Sequence, residues 1–237
     1  MNIVGFGDSF IMDVPSHDSQ YPHVYMNLVG DHFGVKTESR GLAGSGPWNM
    51  FYDFINYKEP VDVAIIAWSE ILRLYHPNVQ PLNTHNCVNT PITAPSPFKE
   101  VYEAARDAYK YLLDHDQKNW EMQALMCMFD EFIVKKYPNT KFIQLSCFSR
   151  YSEDKWWGQL YDNIRPDEIE YYHDFKNCVE VRPCLMYLSK KDEYPFDVRY
   201  EIRQNHLSLK MHKLLAHAII DAIENYIPGR KVHIHVD

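Results

Sequence analysis

Asn2-Ile3-Val4-Gly5-Phe6-Gly7-Asp8-Ser9-Phe10 is the stretch that decides the fold. Ile3 to Phe6 reads as a strand with no polar side chain to offer water, as a strand covered on both faces should be. Gly7, Asp8 and Ser9 follow at once, so the strand ends in a turn. A strand that turns directly into a helix presents its turn residues at the carboxyl edge of an open α/β sheet, where such sheets place their ligands. Ser9 is therefore a candidate nucleophile whose own N–H is a candidate oxyanion donor. Asp8 or Ser9 as a plain helix cap fits the same residues equally well.

Outward from this turn, strand and helix patterns alternate. Tyr21, Tyr25, Leu28, Val29 and Phe33 recur at helical spacing, and Gly34 closes that helix. Val35 to Ser39 reads as a weak second strand, followed by the loop Gly41-Leu42-Ala43-Gly44-Ser45-Gly46-Pro47. Trp48, Phe51, Tyr52 and Ile55 suggest a short helix, and Val61 to Ala67 is the clearest central strand. Lys141 to Cys147 reads as another strand, preceded by a long helix with Leu125, Phe129, Phe132 and Ile133 on one stripe. The final helix carries Met211, Leu214, Leu215, Ala218, Ile219, Ala222, Ile223 and Tyr226, with Ser208 as its N-cap.

This alternation predicts a mostly parallel sheet with helices on both faces. A chain of 237 residues suits one such domain, spanning residues 1–237. Two stretches exceed the minimal pattern and are expected as insertions: the proline-rich segment 76–97 and the aromatic, charged segment 149–200.

A net charge of −8, with no basic cluster beyond pairs such as Lys135-Lys136, argues against nucleic acid and anionic membranes as partners. The longest apolar run, around Val61 to Trp68, is too short to cross a bilayer. Five cysteines without C-x-x-C spacing, and a start without a secretory pattern, predict a reducing, cytoplasmic location. Gly5-x-Gly7 is two thirds of a dinucleotide fingerprint, but Phe10 stands at the third glycine, which leaves a nucleotide-binding reading weak. His233-Ile234-His235 has no Cys or His partner at ligand spacing, so an exposed tail strand is expected there, with no metal and no cofactor.

A second signal lies near the other end: Asn205-His206-Leu207-Ser208, just before the last helix. A histidine outside a helix N-terminus sits in a positive potential that favours the neutral imidazole a general base needs. Alone it is one of 12 histidines and a local packing residue; paired with Ser9 it reads as the base.

Together these residues resemble the SGNH (GDSL) hydrolase family, thinly but in order along the whole chain. The resemblance implies a flavodoxin-like three-layer α/β/α sandwich. It also implies hydrolysis of a carboxylic ester, on a small molecule or a carbohydrate, without a cofactor. Gly7-Asp8-Ser9 matches the first family block and carries over Ser9 as nucleophile; Gly44 matches the second-block glycine whose N–H is an oxyanion donor. Ala67-Trp68-Ser69-Glu70 stands where the family has Gly-x-Asn-Asp, so Ser69 takes the place of the oxyanion-hole asparagine. Arg203-Gln204-Asn205-His206 stands where the family has Asp-x-x-His, so His206 matches while the acid is missing. The variant Trp-Ser with Asn-His-Leu-Ser is similar to members of this superfamily in tailed bacteriophages.

Without that acid, something must accept from Nδ1 of His206 to keep Nε2 toward Ser9: a backbone carbonyl, Glu201 or Asp197. Trp68 is expected either as a stacking wall for a sugar or acyl group or as core; Asp8, Glu70 and Asn205 are expected as substrate-side or supporting residues. The two altered blocks motivate a second reading, a binding or structural protein that keeps the fold with weakened catalysis.

Overall fold

Strand β1 (Ile3–Gly7) is buried along its whole length and lies inside a six-stranded sheet. The structure is a computed structural model that describes residues 1–12, 24–79, 82–83, 87–88, 98–150, 164–191 and 207–236. The other strands are β2 (Thr37–Gly41), β3 (Val63–Trp68), β4 (Lys141–Ser146), β5 (Val179–Arg182) and β6 (Lys231–His233). Every pairing is parallel, in the order β2-β1-β3-β4-β5-β6.

Period-two alternation sorts the core into two layers. Ile3, Val63, Ile65, Ile143, Leu145, Val179 and Val181 share one cluster with helices α1 (Tyr25–Phe33) and α6 (Leu209–Glu224). Val4, Phe6, Ala64, Ile66, Trp68 and Phe142 share the other with α2 (Pro47–Asn56) and α4 (His115–Met128). Helix α3 (Phe98–Tyr111) belongs to a small satellite cluster around Val79, Leu82, Cys87 and Ala105, and α5 (Leu185–Lys190) follows β5. The described residues thus form the expected α/β sandwich. The chain goes from β1 to β2 on one side and then to β3 on the other, so a crevice is expected outside the carboxyl ends of β1 and β3.

Local chemistry accounts for where the structure departs from expectation. The second strand starts at Thr37, two residues late, because Gly34 (φ 65°) and Val35 are used to close α1, the Val35 N–H reaching the Gly30 carbonyl at 2.9 Å. Helix α4, capped by the Asp114 side chain, widens into a π turn over Phe129–Ile133. The wider turn rotates the stripe, leaving Phe132 66% exposed while Phe129 stays buried. The segment 149–200, expected as an elaboration, instead contributes β5 and α5 to the sandwich. Most of 76–97 lies outside the described residues.

At the carboxyl end of α4 stands Asp130, with no solvent exposure. Its carboxylate accepts from the N–H groups of Lys176 (2.8 Å) and Asn177 (2.9 Å), from the Cys178 thiol (3.4 Å), and pairs with His173 (3.1 Å). Burial alone would raise its pKa; these donors outweigh it and hold the group below the usual aspartate value. The stabilisation is therefore complete above the unfolded pKa near 4 and lost as pH falls through the lower folded value. Asp130→Asn should cost about 1–3 kcal/mol at pH 7 by urea denaturation, a gap that narrows below about pH 4. A gap that does not change with pH would contradict this account.

Gly41, the last residue of β2, is required by close approach. A Cβ there would stand 2.5 Å from the Asp8 carbonyl oxygen and press on the Met12 backbone. Gly41→Ala should lower stability by about 1–3 kcal/mol, measured by the same denaturation, because backbone rather than a flexible side chain must yield.

Candidate active site

The turn after β1 is closed by Asp8. Its carbonyl accepts the N–H groups of Ile11 (3.1 Å) and Met12 (3.0 Å), and its carboxylate accepts the Phe10 N–H (3.1 Å). Phe10 and Ile11 are each 1% exposed and anchor the turn in the core, while Ser9 between them and Asp8 is only partly buried. Asp8 thus closes the turn, and Ser9 is the residue held at the rim.

The loop from β2 to α2 lies on the same rim. The Leu42 N–H reaches the Gly7 carbonyl at 3.2 Å, the Ser45 N–H reaches the Leu42 carbonyl at 3.0 Å, and the Ser45 hydroxyl reaches Gly7 at 3.4 Å. Gly44 adopts φ 74°, the left-handed region that favours glycine. Among the described residues its N–H donates to no backbone carbonyl.

A buried ion pair ties these two segments to the chain after β3. Arg73 Nη1 lies 2.8 Å from Asp8 Oδ2, 2.9 Å from the Ser45 carbonyl and 2.8 Å from the Ser69 hydroxyl oxygen. Ser69 in turn lies 3.0 Å from Asp8 Oδ2 and 2.7 Å from the Ser45 carbonyl. The Cys147 thiol reaches the other Asp8 oxygen at 3.6 Å, and burial, then the Asp8 charge, pushes that thiol well above its ordinary pKa. Glu70 sits 3.5 Å from Arg73 Nε. Burial raises its pKa against the opposing pull of Arg73. Burial would lower the pKa of Arg73, but Asp8 and Glu70 outweigh it and keep the guanidinium charged.

The structure therefore brings Ser9, Gly44, Asp8, Ser69 and Glu70 to the carboxyl rim of β1, β2 and β3. Two expectations are corrected. Ser69 was expected as an oxyanion donor, but it is 2% exposed and its single proton is directed to Asp8 or to the Ser45 carbonyl. Trp68 is not a cleft wall: it is fully buried, donates to Gln144 Oε1 at 2.6 Å, and packs edge-on against Phe129 and nearly parallel to Phe175. Asn205 and His206 lie outside the described residues, as do Asp197, Glu201 and Arg203.

Arg73 was missed in the sequence. The signal that points to it is Asp8 itself, a carboxylate following a wholly apolar strand, which demands a cation once buried. Among the described residues no group of three or more His, Cys, Asp or Glu is placed to hold a metal ion, and no helix is long and apolar enough to cross a membrane.

No family model and no curated protein matches the chain. Several solved structures do. A protein described as lipolytic and of the G-D-S-L family, from Desulfitobacterium hafniense DCB-2, is 12% identical over 92% of this chain and 97% of its own, with a TM-score of 0.40. An acetylxylan esterase from Geobacillus stearothermophilus is 13% identical over 97% of this chain and 95% of its own, with a TM-score of 0.45. A family two carbohydrate esterase from Clostridium thermocellum, solved with cellohexaose, is 11% identical over 94% of this chain and 63% of its own, with a TM-score of 0.37. The solved structures to which this chain is similar are thus GDSL-type lipolytic proteins and carbohydrate esterases.

Proposed function

We propose that this chain is an SGNH-type serine esterase that hydrolyses carboxylic esters through an acyl-enzyme on Ser9. The observation that carries the reading is the rim itself. A turn closed by Asp8 holds a partly exposed Ser9 on the same edge as Gly44, whose left-handed backbone leaves its N–H without a carbonyl partner among the described residues. In this reading Ser9 Oγ attacks the acyl carbon while His206 takes its proton. The N–H groups of Ser9 and Gly44 stabilise the oxyanion, and His206 protonates the leaving alcohol. Water activated by the same imidazole then releases the acid. Leu207, the residue after His206, is buried in the cluster that holds Phe10 and Ile11, which supports bringing the two ends together.

Short acyl groups on carbohydrates are the proposed substrate class. Trp48 (40% exposed), Tyr52 (55%) and Tyr75 (37%) leave aromatic surface uncovered near the α2 end of the Gly44 loop, and the Tyr52 and Tyr75 rings lie 6.1 Å apart. Such rings suit the apolar faces of sugars.

On a short-chain aryl ester, Ser9→Ala should lower turnover by about 10³-fold or more, and a fluorophosphonate should label Ser9 in the wild type alone. His206→Ala should cause a comparable loss, and wild-type turnover should rise with pH through the histidine range near 6–7. Equal background rates in wild type and Ser9→Ala overturn the proposal. The commitment of the Ser69 proton favours the second reading, a binding or structural protein that keeps the fold with weakened catalysis. Losing one oxyanion donor typically costs about 10²–10³ in turnover. Saccharide binding retained by both proteins at background rates would support that reading.

A further inference from the structure

We propose that Arg73 is a positioning residue of this site: its terminal nitrogen Nη1 holds the Ser9 turn and the Gly44 loop in one fixed relation and so sets the oxyanion geometry. The inference rests on the esterase reading for its kinetic consequence, though not for its structural one. Both charged or carbonyl partners of Nη1 are one residue from a proposed oxyanion donor: Asp8 precedes Ser9, and Ser45 follows Gly44. Asp8 uses its remaining oxygen on the Phe10 N–H, so Ser9 is flanked by the residue that bears the carboxylate and by one bonded to it.

Arg73 is itself immobilised. Its side chain is 12% exposed, its guanidinium lies 5.4 Å from the Phe148 ring centre, and Glu70 stands 3.5 Å from its Nε. Gly46 passes so close that a Cβ there would lie 2.9 Å from the Arg73 carbonyl oxygen. An arginine nitrogen with two protons in a rigid plane can hold several acceptors in a set arrangement; a lysine ammonium supplies the charge without that plane.

The test compares wild type with Arg73→Lys, Arg73→Met and the double variant Asp8→Asn/Arg73→Met. The double variant removes the Asp8 and Arg73 charges together, so that Asp8 is not left as a fully buried, unpaired carboxylate. On a short-chain aryl ester, kcat should fall about tenfold in Arg73→Lys and about 10²-fold in the two other variants, with KM within about twofold. Amide hydrogen exchange, read by mass spectrometry, should quicken in residues 7–12 and 42–46 and stay unchanged in α6.

Unchanged exchange in residues 7–12 and 42–46 of the folded variants overturns the proposal, whatever the activity. So does a kinetic loss confined to KM. If the wild type hydrolyses no ester, the esterase reading fails alone, and the exchange measurement still decides the role of Arg73.

Discussion

Asp8 has no contact with solvent, and the carboxyl rim of β1, β2 and β3 is organised around satisfying it. One carboxylate oxygen takes the Phe10 N–H and the Cys147 thiol; the other takes Arg73 and Ser69. Removing one member of a buried ion pair typically costs about 3–5 kcal/mol. A typical domain is stable by only about 5–15 kcal/mol, so this requirement outranks the individual apolar contacts nearby. The segments after β1, β2 and β3 are consequently locked to one another at the point where the strand order reverses. Placement of Ser9 and Gly44 follows from an electrostatic demand one residue away from each.

Elements whose signals are local were legible in the sequence. β1, β3 and β4 are buried strands between glycine, proline or polar boundaries, and α6 shows an apolar stripe behind a serine cap whose hydroxyl accepts the Met211 N–H at 3.4 Å. The π turn was not legible, because Phe132 occupies a regular helical position and only the finished packing shows the backbone widening beneath it. β5 is short and sits among aromatic and charged residues, which hides it as part of the sheet. Glu180 and Arg182 on that strand pair with each other at 2.7 Å, which hides an apolar alternation carried by Val179 and Val181 alone.

For the candidate site, the sequence pointed to residues that share the carboxyl rim but not to the wiring behind them. Gly7-Asp8-Ser9 could be read because it follows a recognisable buried strand, whereas Gly44 was reached only through the family resemblance. Arg73 could not, since it follows β3 in an irregular segment and meets Asp8 across 65 positions of chain. Trp68 illustrates the opposite case, since of its two readings, stacking wall or core, the core is the one observed. It ends β3 beside the crevice in sequence, yet strand alternation turns its indole inward, where Gln144 satisfies the N–H. Ser69, one residue later, turns toward the rim but gives its proton to the frame.

The two outermost strands carry a further consequence for how these molecules behave beside one another. β2 is Thr-Glu-Ser-Arg-Gly, with Arg40 engaged by Asp53 and Glu38 and with Tyr57 bonded to Glu38. β6 is only three residues long, and its Lys231 is drawn to Asp174. Charged, short margins offer a poor template for another chain to zip onto. Among the described residues, the edges of this sheet, so rich in buried aliphatic residues, are thus poorly suited to edge-to-edge pairing.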